Sequence, residues 1–270
     1  MQFTVRKALI AATVSAALSA APAFASPVFT VDTGGLGLTG NADKTFQADF
    51  ISGFSSELLH LDNAAGTAYG DGWVQFTSFK NGANAVLPGT SRLGVDYQLY
   101  LTFSLSDVLV SGTAGSAGAV YALNSLTFTV WADTGLDTVF TNAAVSGNTG
   151  TEASVSVGTA DINLGSGSLV VGTAGFNALG GVFQNAIASF ALTTEGKAFF
   201  VQPDPFYNVA FDEFNNTTQG LTFSADGKLA AITNASGGVD FNRVPEPASM
   251  SLIGMGLLGL GALSRKRKAS

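Results

Sequence analysis

From Gln98 to Leu105 the apolar residues Leu99, Leu101, Phe103 and Leu105 alternate with Gln98, Thr102 and Ser104, and only Tyr100 places a ring on the second face. A period of two puts one side of an extended chain against a core and the other toward water, which predicts a half-buried β-strand. Leu126, Phe128 and Val130 against Thr127 and Thr129 repeat the pattern, as do Ala153, Val155 and Val157 against Ser154 and Ser156. Shorter strand candidates follow at Trp73 to Phe79, Ile187 to Leu192, Ala198 to Val201, Val209 to Phe214, Leu221 to Ser224 and Leu229 to Thr233. The dipeptides Gly34-Gly35, Asn81-Gly82, Gly180-Gly181, Asp226-Gly227 and Gly237-Gly238 accept positive φ and read as turns between them, Asp226-Gly227 as a hairpin. No convincing helical stretch interrupts the series. Many short strands, 33 glycines and few charges predict an all-β body, a β-sandwich of jelly-roll kind, with an elongated β-solenoid as the alternative.

Both ends depart from this pattern. Near the start, Arg6 and Lys7 precede a mainly apolar run from Ala8 to Ala20, and Ala23-Phe24-Ala25 is a small-x-small cleavage site. Residues 1–25 therefore read as a signal peptide, cut by signal peptidase after Ala25 to leave Ser26 first, and handled by the general export machinery. The C-terminal segment, 244–270, holds Val244-Pro245-Glu246-Pro247, a 16-residue apolar run from Ala248 to Leu263, and Arg265-Lys266-Arg267-Lys268. At about 1.5 Å per residue the apolar run makes a helix of roughly 24 Å, and snorkelling cations cover the shortfall against a ~30 Å hydrocarbon core. Four consecutive cations would stay cytoplasmic, so the body faces outward. Pro245 and Pro247 cannot continue a helix upstream and leave an extended segment outside the bilayer for a processing enzyme to read.

This order of parts resembles the PEP-CTERM sorting signal of Gram-negative bacteria, in which a Pro-Glu-Pro triplet, a short Gly-rich transmembrane helix and a basic cluster are recognised by an exosortase. The resemblance implies transient residence in the inner membrane through the helix 248–263, cutting near Pro245, Glu246 and Pro247, and a body left extracellular or at the cell surface.

Without the two ends, six Lys and Arg face 18 Asp and Glu, a net charge of −12 for the body. Such a charge opposes a nucleic-acid partner and favours divalent cations or cationic surfaces. The chain has no cysteine, so neither a disulfide nor a thiolate contributes. Residues 26–243 suffice for one packed domain without staples, and no period of 20 to 50 residues divides them.

The chemical inventory of the body is thin. His60 is the single histidine, and no Gly-x-Ser-x-Gly elbow accompanies it, so no catalytic residue is assigned. Asp204, Asp212 and Glu213 lie within ten residues, but consecutive strand positions such as Asp212 and Glu213 point to opposite faces, which argues against a glycosidase pair. Calcium would need a site assembled from separate loops, with oxygens such as those of Asp62, Asn63 and Asp71, and no metal ligand is assigned. Phe199, Phe200, Phe206, Tyr207, Phe211 and Phe214 form the densest aromatic cluster, and phenylalanine is expected in a core more than on a sugar platform.

Gln184-Asn185, Ser189-Phe190, Leu192-Thr193, Phe199-Phe200, Pro203-Asp204-Pro205-Phe206-Tyr207-Asn208 and Ala210-Phe211-Asp212-Glu213-Phe214-Asn215-Asn216-Thr217 resemble the flocculation-associated PEP-CTERM proteins of floc-forming bacteria. That resemblance implies a non-enzymatic surface or matrix protein that promotes floc or biofilm formation together with exopolysaccharide. A polysaccharide-binding module is the alternative, and an extracellular glycoside hydrolase is a third.

Overall fold

The computed structural model describes residues 27–215 and 220–241. Strands β1 (Phe29–Asp32), β2 (Thr45–Ala48), β3 (Phe50–Asp62), β4 (Thr67–Asn81) and β5 (Asn84–Ala85) lead to a short helical turn α1 (Pro88–Ser91). Long strands β6 (Gln98–Ser111) and β7 (Val120–Asp133) come next, and four short ones follow: β8 (Val139–Thr141), β9 (Ala144–Ser146), β10 (Thr149–Thr151) and β11 (Ser154–Ser156). The chain continues through β12 (Asp161–Phe176), β13 (Val182–Ser189), β14 (Ala191–Leu192), helix α2 (Thr194–Phe199), β15 (Phe200–Gln202), β16 (Val209–Asn215), β17 (Leu221–Phe223) and β18 (Leu229–Phe241).

The body is the all-β, sandwich-like fold that the alternation predicts, and the pairing supplies its connectivity. Strands β3, β4, β6, β7, β12, β13, β16 and β18 each pair antiparallel with the next of the series, and β18 returns to β3. The circuit closes because β12 carries β7 on one side and β13 on the other, from Leu169↔Ala188 to Phe176↔Val182. This is an up-and-down closed sheet, without a Greek-key crossing among these eight strands. Closure leaves no long strand with an unpaired edge.

Leu59, Leu61, Val74, Leu99, Leu101, Phe103, Leu105, Leu126, Phe128 and Val130 point inward and are buried in one core. The intervening outward positions of β6, β7 and β12 carry Thr102, Ser104, Thr127, Thr129, Ser166 and Ser168. Apolar inside and hydroxylated outside is the reverse of a membrane-spanning barrel. Among the described residues no helix is long and apolar enough to cross a membrane, and the apolar run 248–263 lies outside them.

One end of the closed sheet is plugged. The antiparallel sheet β15-β1-β2 brings Phe29 against Phe79, Phe200, Phe206 and Phe241, with ring centroids 5.1–6.5 Å apart. Phe190 and Phe199 extend the cluster, so the aromatic stretch 199–206 packs as core. Helix α2 occupies part of the expected Ala198 to Val201 strand. Thr193 caps it by accepting from the Gly196 amide (2.9 Å), and Ala198 and Phe199 belong to its last turn.

The segment between β7 and β12 folds as a flap on the outer wall, built from the ladders β8–β11 and β9–β10. Phe140, Val145 and Val155 seal Phe54, Leu58, Trp73 and Ala231 beneath it. Trp73 Nε1 donates to the Thr141 carbonyl (2.9 Å), and Ser56 Oγ accepts from the Ala143 amide (2.9 Å) while donating to the Ile232 carbonyl (3.0 Å). Asp133 starts the flap by accepting four backbone amides, from Gly135 through Thr138, at 2.6–3.1 Å. Burial works against its charge, but these hydrogen bonds outweigh it and hold the carboxyl below its ordinary range.

The turn expectations divide by position. Asp226-Gly227 makes the β17–β18 hairpin, with Gly227 at φ 68°, and Gly180 turns β12 into β13 at φ 82°. Gly237-Gly238 instead lies inside β18, where a Cβ on Gly238 would come within 2.3 Å of both the Ile51 carbonyl oxygen and the Phe50 ring. Close strand approach, not a turn, requires that glycine.

Phe200 is 2% exposed and touches five other rings of the plug. Phe200→Ala should destabilise the protein by about 3–5 kcal/mol in urea unfolding, whereas Leu179→Ala, at an 88% exposed turn residue, should change stability by less than about 0.5 kcal/mol.

Candidate functional site

The residues expected to direct sorting, Ala23, Ala25 and Ser26 at one end and Pro245, Glu246, Pro247, Arg265, Lys266, Arg267 and Lys268 at the other, lie outside the described residues. Within the body, His60 sits on the outer wall. Its ring stacks on Tyr69 with centroids 4.7 Å apart and planes 4° apart, and its Nε2 is 2.9 Å from Glu152 Oε1 on the flap. Asp62 and Asp71 are not brought together, being four residue pairs apart along the β3–β4 ladder. Asp62 caps the turn by accepting from Ala64 and Ala65, and Asn63 donates to the Gly227 carbonyl. Asp204 is in the bend after β15, while Asp212 and Glu213 are successive residues of β16, opposite Ala186 and Asn185 of β13.

The register of β4, β6, β7 and β12 builds a site that no single segment reveals. Three outward rows cross the wall: Tyr69, Ser106 and Ser125; Asp71, Ser104, Thr127 and Ser168; Trp73, Thr102, Thr129 and Ser166. Neighbouring strands stand ~4.8 Å apart, so the rows form a grid of hydroxyls. Ala153, Ser154 and Val155 of the flap wall one side, leaving a groove of about 520 Å³. Ser104 donates to Asp71, whereas the hydroxyls of Thr102, Thr127, Thr129, Ser154 and Ser166 have no protein partner among the described residues. Tyr69 stands at the edge of this grid and is 58% exposed. His60 covers one face of its ring, and the neighbour across the sheet on the other side is only Ser106, itself bonded to Ser125 (2.7 Å). An aromatic face beside hydroxyls and a carboxylate can stack on a sugar ring and exchange hydrogen bonds with its hydroxyls.

A second polar feature lies inside. A cavity of about 50 Å³ toward the end opposite the plug is lined by Glu57 of β3, Asp107 of β6, Ser55, Gln184 and apolar side chains. Glu57 Oε2 and Asp107 Oδ1 are buried without a hydrogen-bond partner among the described residues. Burial, then the neighbouring charge of Asp107, pushes the Glu57 carboxyl up to about 8, and burial pushes Asp107 up to about 7. Neither acid was singled out by sequence reading. The available signal was a carboxylate at an inward position of an alternating strand, Asp107 two residues beyond Leu105.

Comparison with known proteins finds the PEP-CTERM protein-sorting motif at residues 243–268, the tail alone. No curated protein and no solved structure matches the chain.

Two outcomes follow from these sites. Glu57 and Asp107 hold protons in the folded state between their ordinary values, 4.5 and 3.8, and about 8 and 7, while the unfolded chain releases them. Their contribution to stability is therefore full below the ordinary values and is lost as pH rises through the folded ones, at on the order of 1 kcal/mol per pH unit per group. Glu57→Gln should flatten this decline in urea unfolding measured across mildly acidic to mildly alkaline pH. For the tail, replacing Pro245 and Glu246 by alanine should leave the protein exported but membrane-bound and unprocessed. Mass spectrometry of the surface protein, locating its C-terminus, checks it.

Proposed function

Because the chain carries a PEP-CTERM sorting motif, which marks an exported bacterial protein processed by an exosortase, we propose that its body is a non-enzymatic component of the extracellular matrix that holds exopolysaccharide and so promotes floc or biofilm formation. On this reading signal peptidase removes residues 1–25 in a Gram-negative cell, and the released or attached body works outside it. The observation that carries the proposal is the groove beside the flap, lined by Asp71 and by the hydroxyls of Thr102, Thr127, Thr129, Ser154 and Ser166, which have no partner among the described residues, with the exposed ring of Tyr69 two residues from Asp71 along β4. It favours polysaccharide binding by the body itself over a purely structural matrix role. The resemblance to flocculation-associated proteins points the same way.

Charge narrows the polysaccharide class. Asp71 borders the groove, Glu152 stands above His60, and the body carries −12. An acidic glycan would meet repulsion at close range, so a neutral chain is the preferred ligand, and an acidic one would need a bridging divalent cation.

Binding of the exported protein to immobilised neutral exopolysaccharide, together with the floc phenotype of a deletion strain, tests the proposal. Tyr69→Ala should weaken binding roughly tenfold, the equivalent of about 1.4 kcal/mol for a lost stacking face. Asp71→Ala should weaken it as well. Unchanged binding by both variants would remove the groove from the account.

A further inference from the structure

The orphaned acids inside the closed sheet are the least expected feature of the molecule. Buried polar atoms in folded proteins almost always have partners, and an exception calls for a water, an ion or a ligand. Glu57 is 8% exposed and Asp107 4%, and an oxygen of each has no hydrogen-bond partner among the described residues. Among the described residues no Lys, Arg or His lines the cavity, so its lining supplies no counter-charge. Hydrophobic residues of the same volume would have packed the site more stably than two unpaired acids.

From these positions we infer that the cavity is a binding site for a small organic ammonium ion, held by Glu57 and Asp107 against the rings of Phe103, Phe128 and Tyr121. The cation takes the place of the protons that the two buried carboxyls otherwise carry, and these are released to water. The rings border the same cavity, and aromatic faces attract a cation most where water is excluded. An alkylammonium spreads its charge over apolar surface and loses less on leaving water than a hydrated metal ion does. The donor set also disfavours a metal, since no group of three or more His, Asp or Glu side chains that could hold one occurs among the described residues. A cavity of about 50 Å³ limits the ligand to a few heavy atoms, a primary or methylated amine and not a lipid or a long polyamine. Entry is from the end opposite the aromatic plug, where Phe176 and Val182 of the lining flank the β12–β13 turn. The site is separate from the outer groove, so its failure would leave the polysaccharide reading intact.

The test is the thermal midpoint of the purified full-length chain in tetramethylammonium, methylammonium, calcium or sodium chloride at equal ionic strength. At least one ammonium salt should raise the midpoint saturably, by roughly 5 °C at a hundredfold excess over its Kd, with sodium producing no such rise. Calorimetric titration should give one site per chain. The double variant Glu57→Gln, Asp107→Asn should lose the rise, and Asp107→Asn alone, which keeps one carboxyl and guards against a misfolded double variant, should weaken it at least tenfold in Kd. The absence of a saturable rise with either ammonium, a rise retained in the folded double variant, or a response to calcium alone would each overturn the assignment.

Discussion

Strand β12 pairs with β7 along one side and with β13 along the other, and this double engagement shapes the rest of the molecule. Without it the eight-strand series would be an open, twisted sheet with two long unpaired edges, a hazard for an exported protein without disulfides. Glycine makes the double pairing fit. A Cβ on Gly167 would lie 2.1 Å from the Ser189 carbonyl oxygen and 2.3 Å from the Phe128 ring. Closure then separates two environments. Inward residues share one core that the Phe29 cluster plugs at one end, and outward residues are held in register across strands far apart in the sequence.

Those two environments explain both polar sites. The outer grid exists because β4, β6, β7 and β12 are locked side by side, so that Asp71, Ser104, Thr127 and Ser168 share a row although they span nearly a hundred positions. The interior acids are perturbed for the complementary reason. The wall excludes water from Glu57, and the cost of ionising it in apolar surroundings keeps its proton on near neutral pH.

How much could be read beforehand follows from whether the signal is local. The β6 and β7 alternations were plain because one face is buried and the other wet. β3 shows no alternation because its outward Ser56 and Leu58 are buried under the flap, which erases the period of two in Ser55-Ser56-Glu57-Leu58-Leu59. β12 is masked by four glycines among its 16 residues and by the irregular pairing between Leu169 and Val171. The sorting tail was legible because triplet, apolar run and cations adjoin one another in the chain. The groove was not, since no window of sequence contains Asp71, Thr129 and Ser154 together. The stacking of His60 on Tyr69 and its contact with Glu152 depend on a strand pairing and a flap that no spacing rule anticipates.

Closure of the sheet is measured directly by residue-resolved hydrogen exchange. If β12 is paired on both sides, amides of Leu169 to Phe176 directed at β13 should exchange as slowly as those directed at β7, and open together with the β3–β4 ladder in one cooperative unit. Fast exchange confined to the β13-facing amides, the behaviour of an exposed edge, would contradict a closed sheet and with it the enclosed interior that holds Glu57 and Asp107.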